Sequence, residues 1–127
     1  MIHKLPFILY VLGATAAFAQ DSVQTDGEKY KAIFENECIR VLDYSDQPGQ
    51  KTHQHRHPAF FLYALSPFKR TVTLPDGKVL RREFKQGDTL WSEEQTHIGE
   101  NVGQTPTHVI IVEMKRPSGT GASCSKG

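Results

Sequence analysis

Between Lys29 and Lys115 the chain nowhere keeps a helical hydrophobic period over the roughly 11 residues that identify a helix. It breaks instead into short β-type runs at 30–34, 38–44, 51–57, 60–65, 68–74, 79–84, 89–91, 97–101 and 108–115. Turn residues separate them: Pro48-Gly49, Ser66-Pro67, Pro75-Asp76-Gly77, Gln86-Gly87-Asp88 and Gly103-Gln104-Thr105-Pro106. Many short strands punctuated this regularly predict an all-β sandwich or barrel. Pro75-Asp76-Gly77 joins two of the runs as a hairpin, because proline presets φ and glycine supplies a positive one. The run from His108 to Val112 is almost continuously apolar, which predicts a strand buried on both faces.

The 127 residues are enough for one domain and not two. Residues 1–19 read as a removable targeting segment: Lys4 in a short polar start, an apolar stretch over 7–17, and Ala17-Phe18-Ala19 as a small-x-small cleavage site. The apolar stretch falls short of the ~20 residues needed to span a bilayer. Cleavage after Ala19 implies export, to the periplasm or outside the cell, with no stable membrane span in the remaining chain. Residues 20–28 form a polar, loose lead-in, 29–116 the folded domain, and 117–127 a Gly/Ser-rich flexible tail. Lys4 is the one basic residue of the leader, so its loss takes the 15 Lys and Arg to 14, matching the 14 Asp and Glu. A balanced charge without a basic run provides no footprint for nucleic acid. The two cysteines, Cys38 and Cys124, can form a disulfide in an oxidising compartment; a buried thiol and a flexible one are the alternative.

Half of the six histidines lie in His53-Gln54-His55-Arg56-His57. Alternate residues of a strand share a face, and neutral imidazole is the commonest protein ligand for transition metals. Residues two apart on a strand stand roughly 6.8 Å apart, a gap that two imidazoles close onto one ion, whereas His53 and His57 are about twice as far apart. A second segment, Gly87 through His97 to Asn101, offers a further ligand.

Gly49, His55 and His57, in the spacing G-x5-H-x-H, together with Gly87 and His97-x3-Asn101, resemble the two motifs of the cupin superfamily, specifically its small single-domain type. The resemblance runs from Pro48 to Glu113. It implies a conical β-barrel of the double-stranded jelly-roll kind and one divalent transition metal (iron, manganese, zinc, nickel or copper) held by His55, His57 and His97, with His53 as an alternative ligand or a rim residue. Two departures accompany it. Phe61 and Leu62 stand where the first motif carries its glutamate, and Glu93-Glu94-Gln95 replaces the Pro-x-Gly of the second. Three neutral ligands leave ion charge uncompensated and positions open for a small molecule.

Phe60, Phe61, Tyr63 and Trp91 either line an apolar pocket or fill the core, and the Tyr63 phenol is the candidate catalytic group. Glu93 and Glu94 are candidates for the missing carboxylate, or are solvated loop acids. His108 is read as structural. Lys69-Arg70 and Arg81-Arg82 are read as solvated strand positions, with attraction of an anionic substrate as the alternative. The expected function is a metal-dependent enzyme acting on a small molecule, dioxygenase-like or isomerase/lyase-like. The alternatives are a non-catalytic module binding a small ligand or metal, and a metal-free barrel with structural histidines. By family analogy the partner is a second copy of the chain in a homodimer.

Overall fold

The computed structural model describes residues 20–115 and Cys124. Residues 1–19, read from the sequence as a targeting segment, and the tail residues other than Cys124 lie outside the described residues. Nine strands follow one helical turn: α1 (Ser22–Thr25), β1 (Tyr30–Glu35), β2 (Ile39–Asp46), β3 (His55–His57), β4 (Phe60–Ala64), β5 (Phe68–Thr73), β6 (Val79–Phe84), β7 (Thr89–Ser92), β8 (Gln95–Asn101) and β9 (Thr107–Met114). All nine expected runs contain a strand. They form a five-stranded sheet, β1-β2-β9-β4-β7, and a four-stranded sheet, β3-β8-β5-β6, with every pairing between strands antiparallel. This is the two-sheet jelly roll expected from the sequence.

The hairpin at residues 75–77 joins β5 to β6, with Leu74 N–H donating to Lys78 O at 2.8 Å and Gly77 at φ 88°. Inward positions alternate along the strands. β4 buries Phe60, Leu62 and Ala64 while exposing Phe61 and Tyr63. Tyr30, Leu42, Tyr44, Phe68, Phe84, Val109 and Ile111 complete most of the core between the sheets.

Two expectations change here. The β9 strand is not buried on both faces: Val109, Ile111 and Glu113 point inward, whereas His108, Ile110 and Val112 are only half-covered. An apolar run cannot tell a two-sided strand from one whose outer face is merely apolar. Nor is the lead-in loose. Asp21 caps α1 by accepting from Val23 N–H at 2.8 Å, and Ser22 and Asp26 are fully buried. Arg56 N–H donates to Gln20 O at 2.9 Å, so the segment straps the open edge of β3, an otherwise unpaired strand edge. Cys38 and Cys124 are disulfide-bonded across 86 residues, tying the tail to the start of β2.

Candidate metal centre

His55 and His57 sit on β3, which pairs with β8 so that His55 lies directly opposite His97. Period-two geometry places the first pair on the inner face, and the register brings the third beside them. All three are buried, and one ring nitrogen of each lies within 4.8 Å of the others. Bonds of about 2.0–2.1 Å to a single ion would close that span with small side-chain shifts.

The other ring nitrogen of each histidine is already committed. His55 Nδ1–H donates to His53 O at 2.8 Å, His57 Nδ1–H to Glu113 Oε1 at 2.7 Å, and His97 Nδ1–H to Gln95 Oε1 at 2.7 Å. With Nδ1 protonated in each ring, the Nε2 lone pairs are left to converge; those of His55 and His57 stand 3.0 Å apart. Two lone pairs that close repel unless a cation, a proton or a metal ion, lies between them. The donor set therefore fits a metal, and the carboxylate behind His57 is the orienting partner that ligating imidazoles usually have.

Burial, followed by the neighbouring imidazoles, pushes the His55 pKa down to about 4 and that of His97 down to about 2. Both rings are thus neutral and ready to ligate at neutral pH. Tyr30 O–H donates to His55 Nε2 at 3.2 Å, and burial raises its pKa well above the ordinary phenol value.

Other candidates lie elsewhere. The His53 side chain is 76 % exposed and pairs with Asp26 at 3.0 Å, outside the cluster, because β3 begins only at His55 and the preceding residues do not continue its alternation. Of the readings offered for it, this placement fits a rim residue better than an alternative ligand. Tyr63 is on the outer, exposed face of β4 and is not among the residues that border the cavity. Phe61 shares that outer face, whereas Phe60 and Trp91 border the cavity. Glu94 pairs with Arg56 at 2.7 Å, and Glu93 accepts from Trp91 Nε1–H at 3.1 Å; neither supplies a ligand carboxylate. His108 pairs with Asp43 at 3.1 Å, a structural role as read.

Sequence reasoning missed Glu113, Tyr30 and Gln95. Glu113, 2 % exposed, joins His57 to Arg40, whose Nε–H and Nη2–H donate to it at 3.0 and 2.8 Å, and Arg40 continues to Asp21. The signal for Glu113 was the alternation Val109-x-Ile111-x-Glu113, hidden by the equally apolar outer positions. Arg70 is not a solvated strand position. Its side chain is 11 % exposed and lies over the Tyr44 ring, its Cζ 5.1 Å from the centroid, while its neighbour Lys69 faces solvent.

Beside the histidines opens a cavity of about 120 Å³, bordered by Phe60, Phe68, Phe84 and Trp91 and by the polar ends of Arg70 and Gln95. No protein-family profile matches the chain, and no curated protein matches it by sequence. Solved structures do share its architecture. A cupin domain from Bordetella pertussis Tohama I superposes with TM-score 0.63 at 20% identity, over 68% of this chain and 92% of that one. An RmlC-like cupin with a double-stranded β-helix fold from Methanocaldococcus jannaschii has TM-score 0.56 at 15% identity, over 96% and 99%.

The chain has the fold of a small cupin-type domain.

An oxalate decarboxylase matches this cupin fold too, with TM-score 0.51 at 20% identity, over 74% of this chain but 27% of the larger one. The likeness at such identities is one of fold. In the cupin barrel described here, β3 and β8 carry the histidines on the sheet's inner face, with Glu113 reaching them from the opposite sheet.

Proposed function

We propose that this cupin-type domain is an exported metalloprotein that holds one divalent transition metal through His55, His57 and His97 and acts on a small molecule at that ion. The observation that carries the reading is the convergence of one ring nitrogen from each of three buried histidines whose Nδ1 atoms all have hydrogen-bond partners. A bound ion would supply Lewis-acid polarisation, or electron transfer to a co-substrate if it is redox-active. Dioxygenase-like chemistry would need iron, copper or manganese; isomerase or lyase chemistry could run on zinc.

The chain's own residues have definable parts. Glu113 and Gln95 fix the tautomer and orientation of His57 and His97. Tyr30 replaces Tyr63 as the catalytic candidate: its buried hydroxyl, at hydrogen-bond distance from His55 Nε2, can hold or give up a proton at the edge of the ion position. Aromatic side chains line the cavity.

Export rests on the leader-like residues 1–19 and fits the Cys38–Cys124 disulfide. Among the described residues no helix is long and apolar enough to cross a membrane. For a homodimer the candidate face is the outer side of β4, where Phe61 and Tyr63 are exposed. A non-catalytic binding module is the second reading, favoured by the absence of a carboxylate among the three converging ligands.

The test is elemental mass spectrometry on protein purified from the exported fraction. About one ion per chain is expected, lost in a His55→Ala/His57→Ala double variant and in His97→Ala. A wild-type chain that stays metal-free after reconstitution would overturn the metal reading.

A further inference from the structure

The inner face of the four-stranded sheet carries two arginines side by side. Arg70 of β5 and Arg82 of β6 are direct cross-strand partners, flanked by the inward pairs Phe68–Phe84 and Val72–Leu80, and all six border the cavity beside the histidines. Like charges directly opposite each other destabilise a sheet. Among the described residues no aspartate or glutamate borders the cavity; Asp46 lies beside Arg70 from outside that lining.

Of the two charges, that of Arg70 has a buried carboxylate beside it, Asp46, and that of Arg82 has none among the described residues. Arg82 makes no ion pair among the described residues; its Nη1–H donates to Arg81 O at 3.5 Å. Arg70 Nη1 lies 3.6 Å from Asp46 Oδ2, beyond a hydrogen bond, and Asp46 already accepts from Tyr44 O–H and from Asn101 Nδ2–H at 3.0 Å. Nη2–H reaches Tyr44 Oη at 3.4 Å. A guanidinium has five N–H donors, so most of the capacity of Arg70 remains for something in the cavity. The position is also built for it: a side chain at Gly99 on β8 would collide with Arg70 Nη2, so glycine there makes the room the guanidinium occupies.

We infer that the cavity binds a small organic carboxylate, its charged end held by Arg70 and Arg82 and its apolar body against Phe60, Phe68 and Phe84. Paired guanidinium groups match a carboxylate bidentately, and a site with apolar walls strengthens that attraction. The cavity of about 120 Å³ lies below the ~300–1,000 Å³ of drug-sized pockets and limits the ligand to a few heavy atoms. A dicarboxylate can place its second end toward the three histidines; that extension rests on the metal reading, whereas the arginine contact does not.

The test titrates zinc-loaded and metal-free full-length mature protein with acetate, malonate and the neutral malonamide, followed calorimetrically at fixed ionic strength, with zinc content measured for every sample. Malonate is expected to bind the zinc-loaded protein at least tenfold more tightly than malonamide. Arg82→Gln, at an exposed position where folding is not at stake, should weaken malonate roughly 10-fold or more without changing zinc content, the scale of one charge-assisted hydrogen bond. Arg70→Lys, which keeps the buried charge but not the fork, should weaken it as well. Equal binding of malonate and malonamide, or malonate affinity unchanged in both variants, overturns the proposal. If zinc does not load, arginine-dependent malonate binding by the metal-free protein upholds the anion site while the metal reading fails. Absence of malonate binding in both forms overturns the anion site.

Discussion

At the scale of single residues, the orientation of each imidazole is set by what lies behind it. His57 depends on a buried carboxylate, and the buried Glu113 depends in turn on Arg40. Glu113→Gln keeps the shape but removes the charge that favours an Nδ1–H donor. The expected result is a loss of metal affinity of about 10–100-fold, measured by competition with a chromophoric chelator, with little change in far-UV circular dichroism. Unchanged affinity would mean that packing alone holds the ring. Glu113→Ala differs in kind. It leaves Arg40 with Asp21 but without the acceptor of its Nε–H, and is expected to destabilise the fold by about 1–3 kcal/mol, read from the urea midpoint. The two tyrosines separate catalysis from fold: in any activity found, Tyr30→Phe should reduce turnover, while Tyr63→Phe on the outer face should leave it near wild type.

At the scale of elements, the edge strand β3 is the weak member. It has three residues, one neighbour in its sheet and two of the three candidate ligands. The lead-in compensates: Gln20 accepts from Arg56 N–H, Asp26 accepts from His53 N–H and Nδ1–H, and Asp21 pairs with Arg40. Deleting residues 20–26 should therefore loosen both imidazoles at once. A lower melting temperature is expected together with weakened metal binding. Retention of full metal affinity by the truncated chain would show that β8 alone positions β3.

For the whole molecule, acid and reduction act on different supports. His55 and His97 are held neutral, with pKa values lowered to about 4 and about 2 from an unfolded value near 6.5. Below pH 6.5 the unfolded chain takes up protons that the folded chain refuses, so their contribution is intact above pH 6.5. It is lost as pH falls from there toward about 4, at up to about 1.4 kcal/mol per pH unit for each histidine. Urea midpoints of metal-free protein from pH 7.5 to 4.5 should fall accordingly, and a flat profile would mean that water reaches the rings. Reduction acts through chain entropy: the Cys38–Cys124 bond closes a loop of 86 residues, and breaking it should cost about 2–4 kcal/mol. Comparing thermal unfolding with and without reductant measures it, and no difference would mean that the reduced chain keeps the same constraint.

In the sequence alone the periodicity of β-type runs indicated nine strands of an all-β sandwich or barrel, while the jelly roll and the set His55, His57 and His97 were what the resemblance to the cupin motifs implied; strand alternation and motif spacing are both local properties. The tertiary structure decided what alternation cannot. Which face of β4 and β9 is inside depends on the other sheet; that turned Tyr63 outward and brought Glu113 in, although their neighbours are equally apolar. Arg70 reads as a surface residue until Gly99, from a strand about thirty positions away, makes room for it inside the barrel. The polar lead-in became a strap only because β3 offered an open edge. Each of these outcomes depends on register between distant strands, which is a property of the assembled sheets and not of any one run.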